Sequence, residues 1–152
     1  MYYIGMYYIE FLQNEKFLRK CTVSIVFEDS SSIESLGSIV VNNLMWRTCG
    51  KKKCPEIVAK FKGYLAIDVS LNDDNLKLKI SKVPDILILN SNFIFCFLVN
   101  KSHGHFTVIY KSKDGQYFHY DDAPKSVKKC RKDLLVSPQF ILYRQKNKLF
   151  VS

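Results

Sequence analysis

The sequence lacks the features that mark a secreted or membrane protein. No charged, then apolar, then small segment opens the chain, and the most apolar stretch, residues 83–99, is interrupted by Pro84, Asp85 and two asparagines. That stretch is too short and too polar to span a bilayer as a helix. The five cysteines are an odd set, which predicts free thiols in a reducing compartment, the cytoplasm or the nucleus. We therefore expect no membrane partner.

Acidic residues are also scarce: 14 Asp and Glu stand against 23 Lys and Arg, for a net charge of +9. A field of that sign attracts phosphate backbones or acidic protein surfaces, although solvated lysines alone would produce the same charge. Two basic clusters are candidates for a binding surface: Lys51, Lys52 and Lys53, and then Lys125, Lys128, Lys129, Arg131 and Lys132. The second cluster has no aromatic residues interleaved along the chain, which favours phosphate or acidic-protein contact over base reading.

Length and composition predict a single α+β domain over residues 1–152. The chain is 47% hydrophobic and 14% aromatic, enough apolar surface for one core. Apolar residues at helical spacing predict two N-terminal helices, at residues 10–20 and from Ser32 onward, with a strand at 22–27 between them. The rest is predicted to be mostly antiparallel sheet, with strands at 57–61, 64–69, 76–80, 86–89, 93–99, 106–110, 117–120 and 140–143.

The most informative segment is a hairpin predicted around Asp114-Gly115. The Asp-Gly pair supplies the positive φ of a tight turn between two alternating runs. His105 opens the first run and Asp121 closes the second, so an antiparallel pair returns the carboxylate to the imidazole. A carboxylate in that position fixes the tautomer of a histidine and stabilises its charged form, as a base and its orienting group require.

This segment resembles the signature of the ubiquitin-specific proteases, in which Gly-His-Tyr opens one strand and an aromatic-Asp-Asp motif ends the next. The chain has Gly-His-Phe at 104–106 and Tyr-Asp-Asp at 120–122. Residues 139–144, Gln-Phe-Ile-Leu-Tyr-Arg, are similar to the closing strand of that family, and the resemblance covers roughly residues 32–144. It implies a papain-like fold and a substrate that is ubiquitin or a ubiquitin-like protein.

The resemblance also implies roles for individual residues. His105 matches the general base and Asp121 the carboxylate that orients it. Asp122 matches a neighbour that supports the oxyanion site, and Gly104 matches the flexible loop beside the ubiquitin tail.

The nucleophile of such a protease is not recognisable. A papain-like cysteine lies at a helix N-terminus, which favours the thiolate, and the family marks it with an Asn-Thr-Cys-type box that this chain lacks. Cys21 precedes a predicted strand, Cys96 lies inside one, and Cys130 follows His105, contrary to the family order. We therefore predict a catalytically inactive domain, a pseudo-deubiquitinase, that acts by binding a protein or an assembly.

Cys49 and Cys54 form the one cysteine pair with a spacing suited to zinc. A closed structural site needs four ligands, and the region where the family places its second pair, residues 71–80, contains no cysteine. We predict that Cys49 and Cys54 are free thiols and that the protein has neither zinc nor another cofactor.

Two other interpretations stay open at this point. One is an active cysteine deubiquitinase whose nucleophile is unrecognised or lies on another chain. The other is a basic ribosome- or RNA-associated protein that uses a degenerate fold of this family. The corresponding partners are ubiquitin or a ubiquitin-like protein, or a larger complex such as the ribosome with contact to the RNA backbone.

Overall fold

An eight-stranded sheet forms the centre of the protein. The computed structural model describes residues 9–13, 16–20, 23–27, 29–40, 57–61, 63–72, 76–89 and 91–146. The strands are β1 (Ile9–Gln13), β2 (Lys16–Lys20), β3 (Val23–Ser24), β4 (Ile57–Phe61), β5 (Tyr64–Asp68), β6 (Leu78–Lys79), β7 (Ile86–Ile88), β8 (Asn92–Ser102), β9 (His105–Lys111), β10 (Tyr117–Asp121), β11 (Ser126–Cys130), β12 (Leu135–Val136) and β13 (Pro138–Gln145).

Nearly all strand pairs are antiparallel. The large sheet has the order β11-β10-β9-β8-β13-β5-β3, and β7 pairs with β8 beside this path. The pairing of β3 with β5 is parallel. Two smaller sheets, β2-β1-β4 and β12-β6, complete the described strands. The long central strands β8 and β13 consist largely of aromatic and β-branched residues, which suit a pleated, half-buried surface.

The hydrophobic core lies on one face of the large sheet. Buried side chains of the sheet, among them Phe93, Leu98 and Ile109, belong to one cluster with Leu36 and Val40 of the N-terminal helical segment. Tyr143, on β13, is fully buried, donates a hydrogen bond to the Pro84 carbonyl oxygen at 2.7 Å and meets the Phe95 ring edge-to-face. The helical segment therefore covers one face of the large sheet.

The helix predicted at residues 10–20 is wrong. These residues form the hairpin β1–β2, in which Phe11 pairs with Leu18 and Leu12 with Phe17. The four apolar residues that matched helical spacing are thus cross-strand partners. The pairing of β1 with β4, which brings in residues far along the chain, overrides the weak local preference for helix.

The second predicted helix is confirmed in part. A 3₁₀ turn spans Ser30–Ser35, where the Asp29 carboxylate accepts a hydrogen bond from the Ser32 N–H at 3.2 Å. Residues 36–40 continue as α-helix, and the remainder of the predicted element lies outside the described residues. The strands predicted from residue 57 onward are present, except that 76–80 is only a two-residue strand followed by the 3₁₀ turn Ile80–Lys82. The sequence did not predict β11 or β12.

The α+β prediction is therefore only partly matched, because the described chain is mostly antiparallel sheet with one short helical segment. No helix in the described part of the chain is long and apolar enough to cross a membrane.

Candidate functional site

The predicted pairing of His105 with Asp121 is confirmed. Strands β9 and β10 form the hairpin around Asp114-Gly115, and Gly115 has the positive φ of 79° that the turn requires. Tyr120 pairs with Val108, so Asp121 at the end of β10 lies beside the start of β9. The Nε2 atom of His105 is 2.7 Å from Oδ1 of Asp121.

His105 and Asp121 shift each other's pKa toward the charged forms. The hydrogen bond to Asp121, together with its charge, raises the pKa of His105 above the usual 6.5. In return, the hydrogen bond from His105 lowers the pKa of Asp121 below 3.8, helped by the Ala123 N–H, which donates to Oδ1 at 3.1 Å. With Nε2 engaged, Nδ1 is the ring nitrogen left to take or give a proton. The pair can therefore hold a charged imidazole, as a base and its orienting carboxylate must.

Asp122 lies at the edge of the same pair. Its Oδ1 is 4.0 Å from Nε2 of His105, and its side chain is exposed. One ligand atom each from His105, Asp121 and Asp122 lies within 4.8 Å of the others. Three such ligand atoms are enough to contact a cation. However, the His105 and Asp121 side chains already bond to each other. The expectation that the protein binds no metal stays a prediction.

The turn before His105 is tighter than the resemblance implies. Strand β8 ends at Ser102 and β9 begins at His105, so His103 and Gly104 alone make the connection. Their φ values of 49° and 75° are both left-handed, the conformation of a two-residue hairpin turn. Gly104 therefore lies in a two-residue turn, and its match to the flexible loop beside the ubiquitin tail stays a prediction. Pairing with Ser102 positions the backbone of His105.

A cavity of about 260 Å³ opens beside this turn. The cavity is lined by the turn residues, the end of β8, one lysine before β6, and residues of β12 and the β12–β13 connection. These are Lys77, Asn100, Lys101, Ser102, His103, Gly104, Leu135 and Ser137. The buried Asn100 amide accepts a hydrogen bond from the Ser137 N–H at 2.7 Å and lies 3.4 Å from the Thr107 hydroxyl. Asn100 thus joins β8 to β9 and β13 directly below the turn. Asn100 is not among the predicted site residues, although an amide near the end of an apolar strand is a signal in the sequence.

The structure does not bring the described cysteines to the His–Asp pair. Cys96 lies on β8 beside the irregularity in its pairing with β13, and Cys130 ends β11 opposite Tyr117. Burial raises the pKa of both thiols. Cys21, Cys49 and Cys54, including the proposed zinc pair, lie outside the described residues.

The second basic cluster is exposed as predicted. Lys128 and Lys129 lie on β11, the edge strand of the large sheet, and Lys125 lies in the turn before it with a φ of 49°. Arg131 pairs with Asp133 at 3.0 Å, and Lys132 is exposed beside it. The first cluster, Lys51 to Lys53, lies outside the described residues.

Solved structures identify the fold. An essential yeast splicing factor matches 93% of this chain with a TM-score of 0.51 and 14% identity. A chain of the SAGA Ubp8/Sgf11/Sus1/Sgf73 DUB module, in which Ubp8 carries one substitution, matches 92% with a TM-score of 0.50 and 13% identity. The chain has a deubiquitinase-like fold. It spans 42% of the first matched chain and 38% of the second, and identities this low show the fold alone. No family model and no curated protein matches the sequence.

Proposed function

We propose that this deubiquitinase-like chain is catalytically inactive and acts as a binding module for ubiquitin, a ubiquitin-like protein or a larger complex. The observation that carries the proposal is a well-formed His105–Asp121 pair that neither described cysteine can reach. The pair would be a remnant of protease chemistry, and the surface around it would serve recognition.

Strand geometry separates Cys96 from His105. His105 pairs with Ser102, and Cys96 lies six positions earlier on the same strand, which corresponds to about 20 Å. Cys130 pairs with Tyr117, four positions from Asp121, or about 13 Å along β10. A nucleophile must lie within hydrogen-bond reach of its base, so neither thiol can serve.

The environments of these thiols also oppose catalysis. A catalytic cysteine needs a lowered pKa, because the thiolate is the nucleophile. Burial instead raises the pKa of both Cys96 and Cys130. Both belong to strands, where no helix dipole favours the thiolate. Structural thiols are the better account of both.

The cavity beside the His103-Gly104 turn supports a retained binding role. It lies next to His105 in the chain, and its lining includes two lysines and a histidine but no carboxylate. A carboxylate or acidic side chain of a protein partner matches that charge. Labelled ubiquitin titrated with the Lys77→Glu protein tests this contact, and the Lys113→Glu protein is the control, because Lys113 is exposed outside the cavity. If ubiquitin binds at the cavity, affinity falls only in the Lys77→Glu protein.

The second candidate, an active deubiquitinase, is favoured by one observation: the His–Asp pair retains the hydrogen bond and the pKa shifts of a working base. Activity would need a thiol from Cys21, Cys49 or Cys54, or from another chain. All three precede His105, as the family order requires, and Cys21 is the first residue to test.

A ubiquitin probe with an electrophilic C-terminus separates the two candidates. We expect no covalent adduct with the intact chain, and Cys96→Ser and Cys130→Ser serve as matched controls. An adduct that survives both controls but disappears in Cys21→Ser would refute inactivity. An adduct that forms only after a second chain is added would show that the nucleophile comes from that chain.

A further inference from the structure

The face of the large sheet opposite the core carries a group of aromatic residues. On β9 and β10, the buried residues Thr107, Ile109 and Tyr117 alternate with residues that point the other way. Cross-strand pairing places the latter side by side, because directly paired residues share a face. We call this group the outer face, and it consists of Phe106, Val108, Tyr110, Phe118, Tyr120, Val127 and Lys129.

The outer face is accessible in the described structure. Phe106 is 54% exposed, Tyr120 38% and Val127 53%. The rings of Tyr110 and Phe118 stack on each other, with centroids 5.6 Å apart and planes 20° from parallel, and form a floor beside the exposed residues. Exposed apolar groups of this extent on a sheet mark an interaction surface. The His–Asp pair follows the alternation of Thr107 and so belongs to the opposite face.

The geometry of the exposed rings suits planar ligands. Tyr120 pairs with Val108, which is two positions from Phe106 on β9, so the two rings are diagonal neighbours. Diagonal residues in an antiparallel pair are about 7–8 Å apart. Two successive bases of an unpaired strand can span that distance, each resting on one ring.

Positive charge lies next to these rings. Lys129 pairs directly with Phe118, and Val127 with Tyr120, so β11 places Lys129 on the outer face. Lys128 pairs with His119 and so belongs to the opposite face, and β11 itself, Ser-Val-Lys-Lys-Cys, contains no carboxylate. Lys129, which has no aromatic neighbour along β11, therefore has one across the sheet.

We propose that the outer face binds single-stranded nucleic acid, with Phe106 and Tyr120 stacking on bases and Lys129 contacting a phosphate. Rings with a positive groove beside them are the combination that such sites use, and stacking tolerates any base sequence. The net charge of +9 complements a phosphate backbone. A duplex fits less well, because its bases already stack on each other and offer no free face. This surface adjoins the cavity of the proposed function, because Phe106 pairs with Lys101 of the cavity lining, but Phe106, Tyr120 and Lys129 are not among the cavity residues.

Fluorescence anisotropy with a labelled oligouridylate tests the proposal on the intact chain. Replacing Phe106 and Tyr120 by leucine keeps apolar bulk but removes the rings, and we expect roughly ten-fold weaker binding or more. Replacing Phe106 by tyrosine should preserve binding. Lys129→Gln should reduce the slope of log affinity against log salt by about 0.7, the value for one phosphate contact on a single strand.

Two controls match these variants. Ile88→Ala removes an exposed apolar side chain from β7, and Lys79→Gln removes an exposed charge from β6; neither should change affinity. Unchanged melting temperatures would show that the variants fold. If the leucine variant binds the oligouridylate as tightly as the parent, the stacking site is refuted. If polyglutamate competes as well as RNA and both lose affinity in the leucine variant, the partner is an acidic protein and the nucleic-acid proposal fails.

Discussion

Asn100 offers a direct test of how the candidate site is held in place. Its side chain is only 8% exposed, and its Oδ1 accepts the Ser137 N–H at 2.7 Å. Leucine has nearly the same shape but no acceptor, so Asn100→Leu leaves a buried N–H without this bond. A lost partner of this kind costs about 2 kcal/mol, which for a chain of this length lowers the melting temperature by about 6 °C.

Thermal unfolding followed by circular dichroism measures that loss. Asn92→Leu, at the exposed start of the same strand, is the matched control and should stay within about 0.5 kcal/mol of the parent. The amide resonances of Gly104 and His105 should shift in Asn100→Leu alone, because Asn100 underlies their turn. A melting temperature within about 1 °C of the parent would show that the amide does not secure the turn.

Three further predictions concern charge and backbone. In Asp121→Asn, the pKa of His105 should fall toward 6.5, as an NMR titration of the ring will show, because the charged hydrogen-bond partner is gone. In the parent, this pair stabilises the fold fully above pH 3.8 and below pH 6.5; that contribution is lost as pH rises through the raised pKa of His105 or falls through the lowered pKa of Asp121. Urea unfolding should separate two glycines: Gly104→Ala, at φ 75°, should cost about 1 kcal/mol, whereas Gly37→Ala, in the helical segment with only ordinary contacts near its Cβ, should gain about 0.5–1 kcal/mol. Equal effects at both glycines would contradict the assigned backbone conformations.

The His–Asp pair could be predicted from sequence because its causes are local. Asp114-Gly115 dictates a turn, the flanking runs alternate, and these facts alone return Asp121 to His105. The strands from residue 57 onward were accessible for the same reason, since β-branched and aromatic runs between turn residues carry their own signal. The roles implied for His105, Asp121, Asp122 and Gly104 stay predictions, because fold and distance do not establish catalysis.

The helix predicted at residues 10–20 failed because its deciding partner is distant in sequence. Four apolar residues at these spacings satisfy a helix and a hairpin equally, and β4 selects the hairpin by pairing with β1. Strand β11 was missed for a related reason. Its sequence, Ser126–Cys130, is short and polar, and only the edge of an existing sheet gives it strand conformation.

The outer face shows what a one-dimensional pattern conceals. Along the chain, Lys129 is eleven positions from Phe118 and Val127 is seven from Tyr120, so neither pair forms a motif. The β10–β11 hairpin converts these separations into direct cross-strand pairing. The alternation of the strands then assigns the aromatic side chains and Lys129 to one face and the His–Asp pair to the other.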